Sequence, residues 1–319
     1  MGDDGKRVRM VSVLFPMYNI EQTLDEALDS LIEQTFQDFE IIAIDNASSD
    51  QTLDRIQERA KKEPRIKVCT EKKKGIHHAL NKGIEMASGE WLARMDGDDL
   101  SERIRFEKQL KFMKDHPEVD VLGTQIRMFG DKNKVSDYPK THDGIEIDLN
   151  FRNCIAHPTI LIRREKLPTF VYSEKYPSGE DYAKWVEISS RHRFENLDEP
   201  LLRYRVHAKQ CMSKSAEVAR DTEKIIMKNS LEKFGVFLNS EQIESHHHFS
   251  RWGVFNSRRD FFKEMEVLQK LEKIAFEKKS DEGVVVVERH WKRLMDSHPQ
   301  FPLSRTVGSA LKRLKRYLK

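Results

Sequence analysis

Residues 39–61 read F-E-I-I-A-I-D-N-A-S-S-D-Q-T-L-D-R-I-Q-E-R-A-K, and two structural periods meet inside them. Phe39–Asp45 is an almost unbroken apolar run that stops at an acid, as a buried strand does. Ser48, Ser49 or Asp50 can cap the helix that follows over Asp50–Lys61. The same unit recurs on either side. M-V-S-V-L-F-P at 10–16 reads as a buried strand, and Glu21–Gln34 as a helix with Leu24, Ala27, Leu28 and Leu31 on one face. Ile66–Thr70 and Glu90–Met95 are further strands, separated by a helix at His77–Ala87. Strands alternating with helices predict an α/β fold with a mostly parallel sheet flanked by helices.

The pattern loosens after residue 100. Arg103–His116 reads as helix and Val119–Met128 as strand, while 130–158 is polar with no clear period. Thr159–Arg163, Arg193–Leu197 and Leu201–Val206 are short strand candidates, with a helix near Tyr182–Arg191. From about 213 onward nearly everything reads helical, over 213–234, 240–250, 257–279, 283–296 and 305–318. A chain of 319 residues exceeds what one core usually organises. The expected division is therefore 1–212 and a helical region at 213–319.

Charged residues make up 34% of the chain and apolar ones 38%, with enough aromatics (9%) to build a core. No apolar run approaches the ~18 residues that cross a bilayer, and the first residues lack a signal-peptide pattern. Cys69, Cys154 and Cys211 are too scattered for a disulfide framework or a zinc site. A cytoplasmic protein is expected. Residues 251–319 hold 17 Lys and Arg against 9 Asp and Glu, whereas 1–250 hold 39 against 44. Any contact with an anionic surface is thus expected at the C-terminal end. There Val307, Ala310, Leu311, Leu314, Tyr317 and Leu318 line one helical face flanked by Lys and Arg. Such a helix suits the inner surface of an anionic membrane, or packs its apolar face internally. No nucleic-acid motif accompanies the charge, so no nucleic-acid partner is expected.

In open α/β sheets, ligands bind beyond the carboxyl ends of the strands. Those ends carry Pro16-Met17-Tyr18-Asn19, Asp45-Asn46-Ala47-Ser48 and Asp96-Gly97-Asp98-Asp99. Clustered acids at one sheet edge repel and call for a cation or an organised donor network. Asp-x-Asp offers hard oxygen ligands suited to Mg²⁺ or Mn²⁺, and Gly97 allows close backbone approach. Taken alone, D-G-D-D is an ordinary turn. An EF-hand register, a G-x-G-x-x-G and a G-x-x-x-x-G-K-[ST] are all absent.

In combination the motifs are specific. V-S-V-L-F-P-M-Y-N at 11–19, I-I-A-I-D-N-A-S-S-D-Q-T at 41–52, G-I-H-H-A-L-N-K-G-I-E-M-A-S-G-E-W at 75–91 and R-M-D-G-D-D-L at 94–100 resemble the family 2 glycosyltransferases, which have the GT-A fold. The resemblance runs on through Gln109, H-P-E-V-D-V-L-G-T at 116–124, G-E-D-Y at 179–182 and Y-R-V-H-A-K-Q-C-M-S at 204–213, about two thirds of the chain.

It implies an inverting transfer from a nucleotide-sugar donor to a saccharide or lipid-linked acceptor, with Mn²⁺ or Mg²⁺. By motif, Asp45 meets the nucleotide base, Asp96 faces the ribose, and Asp98 holds the metal, with His207 near the diphosphate or metal. Pro16, Tyr18 and Gly97 frame the nucleotide, and Asp181 is the general base, with Glu180 as the alternative. The commoner family form after the second strand has two acids and a glycine where this chain has Asp45-Asn46-Ala47. That favours uridine only by default over guanosine or thymidine. The Gln-x-x-Arg-Trp of processive members is missing, which points to single transfer. Nucleotidyl transfer and a non-catalytic GT-A-like module are the competing readings. The first lacks its Gly-rich phosphate loop, and the second does not require Asp45, Asp96, Asp98 and Asp181 together. His246-His247-His248 read as a solvated polar segment, and Trp91 and Trp185 as core.

Overall fold

A computed structural model describes residues 10–176, 178–206, 216–253 and 257–297. The chain divides into two units. In the first, strands Val11–Met17 (β1) and Phe39–Asp45 (β2) are buried along their whole length. That is why they read as unbroken apolar runs: helices cover both faces of a parallel sheet. Between them lies Leu24–Ile32 (α1), whose Leu24, Ala27, Leu28 and Leu31 are all fully buried. Each of the three leucines contributes roughly 1.5–3 kcal/mol on burial. Thr52–Lys62 (α2), Ile66–Thr70 (β3), Ile76–Met86 (α3) and Trp91–Arg94 (β4) complete the alternation.

The sheet continues through Leu100–Ser101 (β5), Val121–Gly130 (β6), Leu161–Arg163 (β7) and Phe194–Val206 (β8), with Arg105–Asp115 (α4) preceding β6. Its order is β3-β2-β1-β4-β7-β6-β8-β5. The first four strands are parallel, β7 is antiparallel to both β4 and β6, and β8 runs parallel to β6. Since β1 pairs with both β2 and β4, the sheet reverses its winding at β1. The crevice beyond β1, β2 and β4 is where such sheets bind ligands.

One expectation changes here, and one short strand has no counterpart in the sequence reading. The candidates at 193–197 and 201–206 are one strand, β8, whose register against β6 shifts around Gln125 opposite Pro200. Proline lacks the N–H a ladder needs, so the sequence looks broken where the strand only bulges. The two-residue β5 is too short to leave a period.

The second unit takes in Tyr138–Cys154, Trp185–Ser190 and the chain after 213. Its helices are His142–Asp148 (α5), Ala216–Lys233 (α7), Ser240–Trp252 (α8), Arg258–Glu277 (α9) and Asp281–Ser297 (α10), while Glu180–Ile188 (α6) begins in the first unit. A capping box between Asn239 and Gln242 starts α8. Helix α5 interrupts the stretch that showed no period, being only seven residues long.

The histidine run is corrected as well. His246 and His247 are buried, at 1% and 4% exposure. His246 Nδ1 lies 2.9 Å from Glu264 Oε2 and its Nε2 2.7 Å from the Asn150 carbonyl. Trp91 and Trp185 are buried, as core residues are. Among the described residues no helix is long and apolar enough to cross a membrane. The helix expected at 305–318 lies outside the described residues.

Candidate active site

The parallel strands deliver their last residues to one edge. Pro16 and Met17 end β1, and Tyr18 follows, half exposed, with the Lys74 ammonium 5.4 Å from its ring centre. Asp45 ends β2, where its Oδ2 accepts the Ser48 N–H at 3.3 Å. Its Oδ1 is buried with no hydrogen-bond partner among the described residues, an acceptor facing an unfilled demand. The next turn is strained. Ala47 has φ 58°, left-handed space that glycine enters freely, and alanine holds it at a cost of about 1 kcal/mol or more.

Asn46 is wholly committed to its neighbours. Its Nδ2 donates to the Glu71 and Lys73 carbonyls (3.0 and 2.8 Å), and its Oδ1 accepts the Gly75 N–H at 2.9 Å. It therefore builds the loop that walls a cavity of about 340 Å³ lined by Pro16, Tyr18, Lys74 and Ile76. A second cavity, of about 770 Å³, opens on the other side of Tyr18 toward Asp98 and Arg205.

Beyond β4, Asp96, Asp98 and Asp99 each present an oxygen within 4.8 Å of the others. Arg94, 2% exposed, grips both oxygens of Asp96 through its two terminal nitrogens. Arg205 donates its backbone N–H to Asp99 Oδ1 (2.9 Å) and its Nε–H to the Asp98 carbonyl (2.8 Å). Burial and the charges of Asp96 and Asp98 push the Asp99 carboxyl well above its usual range. Burial also raises Asp96, helped by Asp98 and opposed by Arg94. Asp99 Oδ2 is buried without a hydrogen-bond partner among the described residues. An all-oxygen donor set of three clustered carboxylates, of which Arg94 neutralises only Asp96, fits a divalent cation. At Gly97 a Cβ would stand 2.2 Å from Ile20 Cδ1, and the Gly97 carbonyl accepts the Thr23 hydroxyl at 2.7 Å.

A second cluster, His157, Glu180 and Asp181, also gathers within 4.8 Å. Glu180 and Asp181 occupy the first turn of α6, where the helix dipole favours an anion. Asp181 is the more accessible, its side chain 18% exposed against 9% for Glu180. Burial and the Asp181 charge push Glu180 up to about 8, so Glu180 keeps its proton at neutral pH. Arg105, fully buried, ties the two clusters together by donating to the Arg94 carbonyl and the Pro158 carbonyl, both at 2.9 Å.

The first unit thus places Pro16, Tyr18, Asp45, Asp96, Gly97, Asp98 and Asp181 at the strand ends and the start of α6; His207 lies outside the described residues. Sequence reasoning missed Arg94, Arg105, His157 and Arg205. An arginine inside the otherwise apolar Trp91–Met95 run was the one available signal, since a buried cation needs an acid beside it.

A sheet of this order with carboxylates beyond its parallel strands is the architecture of the GT-A transferases. The family model for glycosyl transferase family 2 matches residues 12–169. An uncharacterized glycosyltransferase of Haemophilus influenzae is 30% identical over 236 residues, covering 70% of this chain and 73% of that protein. The O-antigen biosynthesis glycosyltransferase WbnJ of Escherichia coli is 31% identical over 210 residues, covering 63% and 81%. Among solved structures, S. aureus TarS in complex with UDP superposes with a TM-score of 0.58 at 19% identity, covering 97% of this chain and 89% of that one. The mannosyltransferase PcManGT of Pyrobaculum calidifontis, in complex with GDP-Man and Mn²⁺, gives 0.53 at 16% identity, covering 98% and 83%. The chain belongs to glycosyl transferase family 2, and its fold is GT-A.

Proposed function

We propose that this glycosyltransferase is inverting and metal-dependent, and moves a sugar from a UDP-sugar to a hydroxyl of a saccharide or lipid-linked acceptor in surface-polysaccharide synthesis. The observation that carries the reading is the pair of carboxylate clusters at one sheet edge. One is a hard-oxygen set, and the other is an accessible carboxylate beside a protonated neighbour. WbnJ, by its name, supports the polysaccharide assignment, as does the amylovoran biosynthesis glycosyltransferase AmsE of Erwinia amylovora, 32% identical over 202 residues.

Asp98, with His207, would hold Mn²⁺ or Mg²⁺, while Asp96 stays neutralised by Arg94 on the ribose side. When bound, the ion supplies Lewis-acid stabilisation of the leaving diphosphate. The single unpaired Asp45 Oδ1 suits the one imide N–H of uracil better than the paired donors of guanine. Pro16, Tyr18 and Gly97 frame the nucleotide. Asp181 takes the proton of the acceptor hydroxyl as that oxygen bonds the anomeric carbon, opposite the departing diphosphate. Glu180, pushed up to about 8 by burial and the Asp181 charge, is mostly protonated near pH 7 and is the weaker base while Asp181 is charged. The reaction is assigned to the cytoplasmic side of the membrane, with residues 305–318 docking on its anionic surface.

Calorimetry with UDP and Mn²⁺, paired with donor turnover, tests this. Asp98→Ala should lose most binding, as should wild type with EDTA. Asp181→Asn should bind UDP normally while turnover drops about 10²–10⁴-fold. Undiminished, metal-independent binding by Asp98→Ala would remove the metal assignment. Wild-type turnover by Asp181→Asn would move the base to Glu180.

A further inference from the structure

His157 opens a single 3-10 turn, His157–Thr159, and is 6% exposed. Its Nε2 lies 2.7 Å from the Tyr172 hydroxyl, itself 2% exposed. A buried hydroxyl that fails to donate costs about 1–3 kcal/mol, whereas its unfilled lone pairs cost less. The Tyr172 O–H therefore donates, Nε2 accepts, and the ring proton sits on Nδ1. That nitrogen lies 3.8 Å from Glu180 Oε1 and 4.0 Å from Asp181 Oδ2. Catalytic contacts of this length commonly tighten once substrate fills the site.

Tyr172 is fixed in turn. Asn81 of α3 donates Nδ2–H to the Tyr172 carbonyl (2.9 Å) and accepts the Tyr172 N–H on Oδ1 (2.8 Å). The Phe170 ring meets the Tyr172 ring edge-on at 5.1 Å. Among the described residues, the charged and titratable groups that face His157 include Arg94 from β4, Tyr172 from the segment before α6, and Glu180 and Asp181 from α6. Burial and the Arg94 charge pull His157 well below 6.5, so it stays neutral, and burial holds Tyr172 as the phenol.

We propose that Asn81, Tyr172 and His157 form a positioning relay that presents Nδ1–H of His157 to the Glu180–Asp181 pair. This rests on the reading of Asp181 as the proton acceptor. A donor aimed at a carboxylate favours its ionised form, so the relay extends the base's working range toward lower pH. His157 exchanges no proton with substrate; it orients and stabilises the groups that do.

Two measurements decide it. Nitrogen-15 NMR of the imidazoles in the full chain should show His157 protonated on Nδ1 and bare on Nε2 between pH 6 and 9. In Tyr172→Phe the Nε2-protonated form should appear. Turnover is followed as Mn²⁺-dependent hydrolysis of UDP-glucose, UDP-galactose or UDP-N-acetylglucosamine, whichever wild type cleaves fastest. His157→Ala and Tyr172→Phe should match wild type at pH 9 and fall progressively behind as pH drops, approaching a tenfold loss only below the wild-type base's own pKa, as expected for a base whose pKa rises by about one. His157→Asn, whose amide N–H stands near the Nδ1 position, should recover part of that loss. Wild-type His157 protonated on Nε2, or an equal loss at every pH, would overturn the relay. If Asp181→Asn hydrolyses at the wild-type rate, the base assignment has failed instead, and the NMR result still judges the relay's geometry.

Discussion

Glu40 on β2 offers a test whose size can be worked from the structure. Its Oε1 accepts the Ser12 hydroxyl (2.6 Å), the Ser88 N–H (3.0 Å) and the Ser88 hydroxyl (2.8 Å), and Lys67 pairs with Oε2. Ser12 Oγ also accepts the Gly89 N–H at 2.8 Å, so this knot pins the turn that feeds β4. Burial alone would raise the carboxyl, but Lys67, Ser12 and Ser88 outweigh it and bring it from 4.5 to about 2. At 1.36 kcal/mol per pKa unit the ceiling is about 3 kcal/mol. Lys67 is half exposed, at 48%, and solvent screening brings the expected value to about 1–2 kcal/mol. Because the folded pKa is depressed, this stability is present above about pH 4.5 and lost as pH falls toward 2. Glu40→Gln should therefore be less stable by that amount at pH 7, in urea unfolding read by exchange of β1 and β2 amides. The gap should narrow from pH 5 to 3.5. A gap that is zero at pH 7, or constant with pH, refutes the reasoning.

Asn46→Asp keeps the acceptor for Gly75 but sets an anion against two carbonyls. It should cost about 1–3 kcal/mol locally, seen as faster tryptic cleavage at Lys72–Lys74 and weaker UDP binding; unchanged cleavage would contradict it. Both ring nitrogens of His246 face acceptors, so it is held as the cation. Burial opposes that charge, Glu264 and Asn150 outweigh it, and the pKa lies above 6.5. Its contribution is complete below about pH 6.5 and lost as pH rises through the folded value. His246→Gln should destabilise the helical unit by about 3 kcal/mol at pH 6 and flatten this dependence in amide exchange. Full-length protein should sediment with anionic liposomes and release in high salt, and a chain truncated after Pro302 should stay in the supernatant. Equal sedimentation would make the tail structural only.

What was legible in the sequence follows from periodicity. β1, β2 and α1 each carry a complete apolar pattern, and the acids at the strand ends mark the edge at which the chemistry gathers. The Arg94–Asp96 grip and the His157–Tyr172 contact were not legible, because they join residues whose types are ordinary and whose meaning lies in burial. His246 misled for the same reason: three adjacent histidines look solvated, yet two are sequestered by Glu264, Glu223 and Asn150. Pro200 disguised one strand as two. Helix α5 is too short for its period to show.

The grouping of residues 138–154 with the C-terminal helices has a consequence for synthesis. Asp148 is fully buried and paired with His290, 142 residues later. Asn150 meets His246 after 96 residues, and Glu146 meets Lys278 after 132. At about 5–20 residues per second, α5 waits roughly 7–30 s on the ribosome for its last partner. Until α9 and then α10 are made, Asp148 stays hydrated and Ile145 and Ile147 lack the helices that later cover them. Any product released before residue 290 leaves Asp148 with Arg152 as its partner and without His290.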